Sequence, residues 1–318
     1  MVTTAIPGSG SVAVIATIDP HVRRQSKHVL GKLTRRSNEL GRFGDFSARR
    51  ETDVESARIG KVALVTGGAR GVGAGIARAF LRAGYVVVTC ARREPESPVL
   101  DGLAHAEFLR CDVRREDDVQ HLVSTIVERH GSLDAVVNNA GGSPYALAAD
   151  ASPNFHRSIV ELNLLAPLLV AQTANHVMQQ QDSGGSIIMV SSVSARRPSP
   201  GTAAYGAAKA GLENLTGSLA VEWAPKVRVS GLTVGMVATE RSALHYGDAD
   251  GLDAVAHTVP LGRLATPDDV GASAVFLASP AASYITGTML AVHGGGERPA
   301  FLGASNADRD REPEGGPS

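Results

Sequence analysis

Short apolar runs alternate with longer amphipathic stretches between residues 61 and 296. The apolar runs fall at 61–66, 85–90, 106–111, 133–138, 186–190, 227–232 and 289–292. Runs this short, bounded by Gly, Pro and polar residues, predict strands buried on both faces. Between them the apolar spacing becomes helical. Over 71–83, Ile76, Ala79 and Phe80 share a face, and Gly84 is placed to end the helix. Over Glu116–His130, Val119, Leu122, Val123, Ile126 and Val127 do the same. Further helices are predicted over 153–180, with a break or tilt near Pro167, over Ala203–Trp223 and over Pro267–Ala278. Strands alternating with helices, without an internal repeat, predict one α/β domain on a parallel, doubly wound sheet covered on both faces. Only 240–261 breaks the rhythm, so it is expected to form a lid over a substrate.

The ends differ from the middle. Residues 1–58 are rich in Arg and interrupted by Gly and Ser, which reads as a disordered extension or a translation start placed too far upstream. Residues 304–318 are polar and expected to be a disordered tail, leaving 59–303 as the domain. Composition then excludes several classes. The chain has 318 residues, 43% of them hydrophobic, and a net charge of −1, which does not suit a nucleic-acid surface. No apolar run approaches the ~20 residues of a membrane span. Cys90 and Cys111 lie in apolar runs and form neither a disulfide framework nor a metal motif, so no metal is expected and both read as small buried hydrophobes. A cytoplasmic chain is expected.

Candidate chemistry gathers between Ser191 and Gly211. Tyr205 and Lys209 are four apart on a predicted helix and so share a face. Ser192 ends the preceding strand, from which a chain reversal can return its hydroxyl to Tyr205. A hydroxyl, a phenol and an ammonium at one point make a site that handles protons. Ser191 should face the other way on an alternating strand, and Ser194 is a weaker alternative.

The turn Thr66-Gly67-Gly68-Ala69-Arg70-Gly71-Val72-Gly73 joins the first strand to the first helix. Glycines there let the backbone approach a diphosphate, and the helix N-terminus favours its charge. The next strand selects the dinucleotide. An acid at its end would accept from a ribose 2′-hydroxyl, but Cys90 stands there, followed by Arg92 and Arg93. With Arg70, these guanidinium groups suit a 2′-phosphate, so NADP(H) is expected before NAD(H), with Glu94 as a counter-signal.

With Asn138-Asn139-Ala140-Gly141 and Ser192…Tyr205-x-x-x-Lys209 following the glycine turn in order, the chain resembles the short-chain dehydrogenase/reductase family over about residues 61–296. The resemblance implies a single Rossmann domain with a seven-stranded parallel sheet, a homotetramer or homodimer, a nicotinamide dinucleotide and interconversion of alcohols and carbonyls. It implies that Gly67, Ala69, Arg70, Gly71, Val72, Gly73, Asn139, Ala140, Gly141, Val237 and Thr239 line the cofactor, with Asp112 and Val113 at adenine. It implies that Asn163 holds a water in a proton relay and that Lys209 also holds the nicotinamide ribose. In that chemistry Ser192 steadies the substrate oxygen and Tyr205 passes the proton, its phenol lowered by Lys209. Two departures stand out. Val234-Gly235 replaces the family's Pro-Gly, and His293-Gly294-Gly295 replaces its Asp-Gly-Gly.

The lid mixes Leu244, His245, Tyr246, Leu252, Val255 and Val259, which suggests a medium-sized, partly apolar substrate. Arg196 and Arg197 could meet an anionic group, although a solvated loop is the simpler reading. The expected reaction is therefore hydride transfer between NADP(H) and a ketone or secondary alcohol, steroid-like or lipid-derived. The alternatives are reduction of a 3-oxoacyl thioester and a non-catalytic dinucleotide-binding protein, against which the intact serine, tyrosine and lysine argue.

Overall fold

The computed structural model describes residues 60–240, 242 and 246–301. The expectations for 1–58 and 304–318, and those for Leu244 and His245 in the lid, lie outside the described residues. The strands of the main sheet are β1 (Val62–Thr66), β2 (Val86–Ala91), β5 (Glu107–Arg110), β6 (Ala135–Asn138), β7 (Gly185–Ser192), β8 (Val227–Val234) and β9 (Met289–Val292). They pair in the order β5-β2-β1-β6-β7-β8-β9, parallel throughout. This is the seven-stranded doubly wound sheet that the alternation of runs and the family resemblance together led us to expect.

The pleat sorts the core into two layers. In β1, Val62 and Leu64 join the layer under α2 (Glu116–His130), α4 (Ala166–Gln180) and α5 (Ala203–Trp223). Ala63 and Val65 join the other layer, under α1 (Gly71–Arg82) and α7 (Pro267–Ala278). Both cysteines are buried among these residues, as small hydrophobes would be. Glycine lets α1 lie close to α7: a Cβ on Gly75 would stand 2.3 Å from Pro267.

Four local features differ from the sequence expectation. A two-stranded hairpin, β3 (Leu100–Asp101) and β4 (Ala104–His105), sits apart from the main sheet. Two-residue strands carry no periodicity to read. Strands β7 and β8 run on to Ser192 and Val234, past the expected ends at 190 and 232, because Ser191 pairs with Thr233 and Ser192 with Val234. The break in 153–180 lies upstream of Pro167. Helix α3 (Pro153–Val160) opens into a π-helical turn, Glu161–Leu165, where the Ala166 N–H reaches the Glu161 carbonyl. The wide turn places Pro167, which has no N–H to offer, in the first turn of α4, where none is needed. Within the expected lid, Ala249–Thr258 forms helix α6, none of whose residues is buried.

The chain leaves β1 in one direction along the sheet and returns through β6 on its other side, so β1 and β6 flank the topological switch point. Side chains sew that point shut. Thr66 Oγ1 accepts from the backbone N–H of Asn139 and of Ala140, each at 3.0 Å. Asn139 Nδ2 donates back to the Thr66 carbonyl at 2.9 Å.

Candidate active site

A groove of about 810 Å3 crosses the carboxyl ends of the strands above this point. Among the residues expected at a cofactor, Gly67, Arg70, Gly71, Val72, Gly73, Arg92, Asp112, Val113, Asn139, Ala140, Gly141, Val237 and Thr239 line it, as do Ser192, Tyr205 and Lys209. Ala69 and Arg93 do not line it. Arg93 is exposed beyond the end of β2, and Arg92 is the member of the pair that meets the groove. At Gly67, Gly68 and Gly73 the turn has no room for a side chain. A Cβ on Gly73 would lie 2.2 Å from the Gly67 carbonyl oxygen, and Gly67 itself has φ +62°. The turn therefore presents bare backbone at the start of α1, the arrangement that suits a dinucleotide's phosphates.

Charges of both signs line the groove. Arg70 faces it from the glycine turn and Arg92 from beyond β2, while Asp112 is already engaged: Arg114 donates to its carboxylate from Nε at 2.9 Å and from Nη2 at 2.6 Å. That hydrogen-bonded pairing holds the Asp112 carboxyl below its ordinary range. At the glycine turn stands a residue that no motif in the chain singles out. Glu240 lines the groove, its Oε1 3.8 Å from the point a Cβ on Gly71 would occupy.

The proton-handling residues converge as their spacing predicts. Ser192 is extended at the end of β7, and its Oγ accepts from Ser194 N–H at 3.2 Å as the chain enters a 3-10 turn. Ser191 is buried and donates to the Lys209 carbonyl at 3.4 Å, so the strand's alternation does point the two serines apart. Lys209 is 3% exposed, and its Nζ donates to the Val190 carbonyl at 2.8 Å. Burial pushes its pKa down to about 8. Burial pushes the Tyr205 phenol up, the nearby Ser192 hydroxyl pulls it down, and Tyr246 adds to the rise. The net direction is opposite to the lowering expected from Lys209. The ammonium stands 5.7 Å from the Tyr205 ring centre and spends a hydrogen bond on Val190, so desolvation of the phenol wins.

Asn163 is fully buried in the π-helical turn and clamps Gly142 at both backbone groups. Its Oδ1 accepts from Gly142 N–H at 2.8 Å, and its Nδ2 donates to the Gly142 and Ile159 carbonyls, each at 2.9 Å. It thus fixes the segment after Gly141 and keeps one oxygen lone pair for a further donor. It sits behind the groove wall rather than on it.

Hydroxyls are frequent in the groove that holds Ser192 and Tyr205: Ser143, Ser194, Ser199, Thr202 and Tyr246 line it, together with Leu162, Pro200 and Val234. Ser199 Oγ lies 2.6 Å from Thr202 Oγ1 and donates to Ser194 Oγ at 3.1 Å. Both arginines after the serine are paired. Arg196 Nε meets Glu213 at 2.9 Å, and Arg197 Nη2 meets Glu297 at 2.7 Å. Glu297 follows the last strand, where no pattern in the sequence shows what a side chain will face. Among the described residues no cluster of His, Cys, Asp and Glu suits a metal ion, and no helix is long and apolar enough to cross a membrane.

Residues 67–297 match the family model described as Enoyl-(Acyl carrier protein) reductase. An L-fucose dehydrogenase from Oryctolagus cuniculus is 41% identical over 246 residues, spanning 75% of this chain and 85% of its own length. The Homo sapiens protein named Dehydrogenase/reductase SDR family member 4 is 34% identical over 242 residues, spanning 74% of this chain and 87% of its own. Among solved structures, an aldohexose dehydrogenase from Thermoplasma acidophilum superposes with a TM-score of 0.69 at 29% identity, covering 81% of this chain and 98% of that one.

Proposed function

Since the chain belongs to the short-chain dehydrogenase/reductase family, and is thereby an NAD(P)-dependent oxidoreductase acting on CH–OH groups, we propose that it transfers hydride between NADP(H) and a secondary alcohol of a neutral, sugar-like substrate. The observation that carries this reading is the lining of the substrate end, where serine, threonine and tyrosine hydroxyls stand beside the catalytic pair. Such a wall matches a ligand that donates and accepts at several positions. It favours a sugar over the steroid-like or lipid-derived molecule expected from the lid's composition. Relatives named for L-fucose and aldohexose support the same choice.

When bound, the nicotinamide dinucleotide supplies or accepts the hydride. Arg70 and Arg92 would hold a 2′-phosphate, and Asp112, which lines the groove with them, is already paired to Arg114. Ser192 would donate to the substrate oxygen as negative charge grows there. Tyr205 would take the alcohol proton in oxidation and return it in reduction. Lys209, when charged, would favour the phenolate, and Asn163 would keep the segment behind the site in place.

The test is a panel of neutral aldoses, cyclic ketones and monohydroxy secondary alcohols with each dinucleotide, followed at the absorbance of reduced nicotinamide. The expected result is turnover of aldoses with a clear NADP preference; turnover of cyclic ketones alone would overturn the substrate, and a clear NAD preference the cofactor. The description of the family model favours a second reading, reduction of an acyl thioester, for which acetoacetyl thioester in the same panel is the probe. The chain would assemble as a homotetramer or homodimer through the edge strand β9 and the apolar groove beside it. Phe276, Tyr284 and Leu290 line that groove and are all exposed.

A further inference from the structure

Resting on the sugar-like substrate just proposed, the geometry points to Arg197, Glu297 and Tyr246 as specificity-determining residues that read the hydroxyls of a neutral polyol remote from the reacting carbon. Arg197 comes from the loop after β7 and lines the groove, and Glu297, from the segment after β9, stands behind it at 2.7 Å, so the contact joins two separate segments at the groove's edge. Their side chains remain 41% and 35% exposed, open to a ligand. Tyr246 and Arg197 both line the groove. The Tyr246 phenol lies within the electrostatic reach of Arg197 and of Glu297, and the Tyr205 phenol within that of Tyr246. Tyr246 thus shares the groove with both the Tyr205 phenol and Arg197.

The chemistry of the pair selects the ligand. A guanidinium only donates and a carboxylate only accepts, and one contact between them leaves donors on the first and lone pairs on the second. A vicinal diol, each of whose hydroxyls both donates and accepts, can use both sides at once. The pair is also charge-balanced. A sugar acid or sugar phosphate would have to compete with Glu297 for Arg197, while Arg196 is committed to Glu213. The wall thus favours uncharged polyols over anionic ones.

The backbone under Glu297 is fixed. The N–H of Arg298 donates to the Thr258 carbonyl at 2.8 Å, and Leu261 N–H donates to the Gly294 carbonyl at 3.1 Å. These bonds tie the segment to the end of α6 and to the chain just after it, so the carboxylate is presented before a ligand arrives.

The experiment measures kcat and KM with a neutral aldose, deoxy analogues lacking hydroxyls remote from the reacting carbon, a uronic acid and a monohydroxy cyclic alcohol. It uses the full chain, Arg197→Gln, Glu297→Gln and the charge-swapped double variant, with cofactor binding by fluorescence as the check on folding. For each single variant, KM for the aldose should rise about tenfold, and the aldose-to-monohydroxy ratio of kcat/KM should fall by about as much. The swapped variant should recover part of this loss, and Glu297→Gln should raise the uronic acid's share by freeing Arg197. If folded single variants keep that ratio within about twofold, the inference fails while the sugar reading stands. If the variants lose cofactor binding, the wild-type deoxy series decides: remote deoxygenation should cost about tenfold in kcat/KM, and indifference overturns the inference. Turnover of the monohydroxy alcohol with none of any sugar overturns both.

Discussion

Two adjacent serines and a lysine show how far single residues can be read. Strand alternation separates Ser192 from Ser191, and although both residues line the groove, the Ser191 hydroxyl is buried and spent on the Lys209 carbonyl. Ser192→Ala should therefore lower kcat by about 10²–10³-fold. Ser191→Ala should leave kcat within a few-fold, and steady-state kinetics on the two variants checks this; equal losses would break the assignment. Lys209 was legible as a member of the site but not in its electrostatics, because spacing carries no information about desolvation. Its pKa falls from 10.5 to about 8 on burial. Below about pH 8 the lysine is protonated both folded and unfolded, and the folded chain carries the cost of a buried charge. Between about 8 and 10.5 the unfolded chain binds more protons, so this group makes stability rise with pH. Lys209→Met should stabilise the protein by about 1–3 kcal/mol at pH 7, with the advantage vanishing above about pH 10.5. Urea melts across pH would show it, and a gain independent of pH would refute the assignment. Turnover should be lost at every pH.

Elements were legible in proportion to their periodicity. The helices over Glu116–His130 and Ala203–Trp223 stand at the expected bounds, the first because its apolar spacing is regular, the second because it is a long Ala- and Leu-rich run without an internal proline. The hairpin of two-residue strands left no trace in the pattern, and the π-helical turn showed only as an anticipated disturbance near Pro167. That turn matters to the site, since it carries Asn163 to Gly142. The stretch 240–261 was readable as an interruption but not in its contacts. Glu240 at its start brings a carboxylate to the glycine turn, where a diphosphate would have to come. Glu240→Gln should therefore tighten dinucleotide binding by about three- to tenfold, roughly 1 kcal/mol, as a like charge is removed. Fluorescence titration measures it, and a weaker or unchanged Kd would show that Glu240 moves clear at no cost.

At the scale of the molecule, the alternation of strand-like and helical stretches was enough for a parallel doubly wound sheet, because parallel strands need crossovers and crossovers need helices. It did not reveal which side chains an edge leaves bare. Strand β9 closes the sheet with Leu290 36% exposed and Tyr284, shortly before it, fully exposed. Leu290→Glu should shift the protein to a smaller species in light scattering, without loss of the folded signal in circular dichroism; an unchanged mass would clear this edge of a role in assembly. One last property follows from the way the groove is built. Its floor is stitched by Thr66 and Asn139, whereas α6, in the stretch expected to form a lid, has no buried residue. In calorimetric terms, a substrate that enters a fixed groove withdraws from water only itself and the walls it touches, and any settling of α6 adds to that. A negative heat-capacity change of substrate binding larger than ligand and walls account for would then gauge how far that helix has settled.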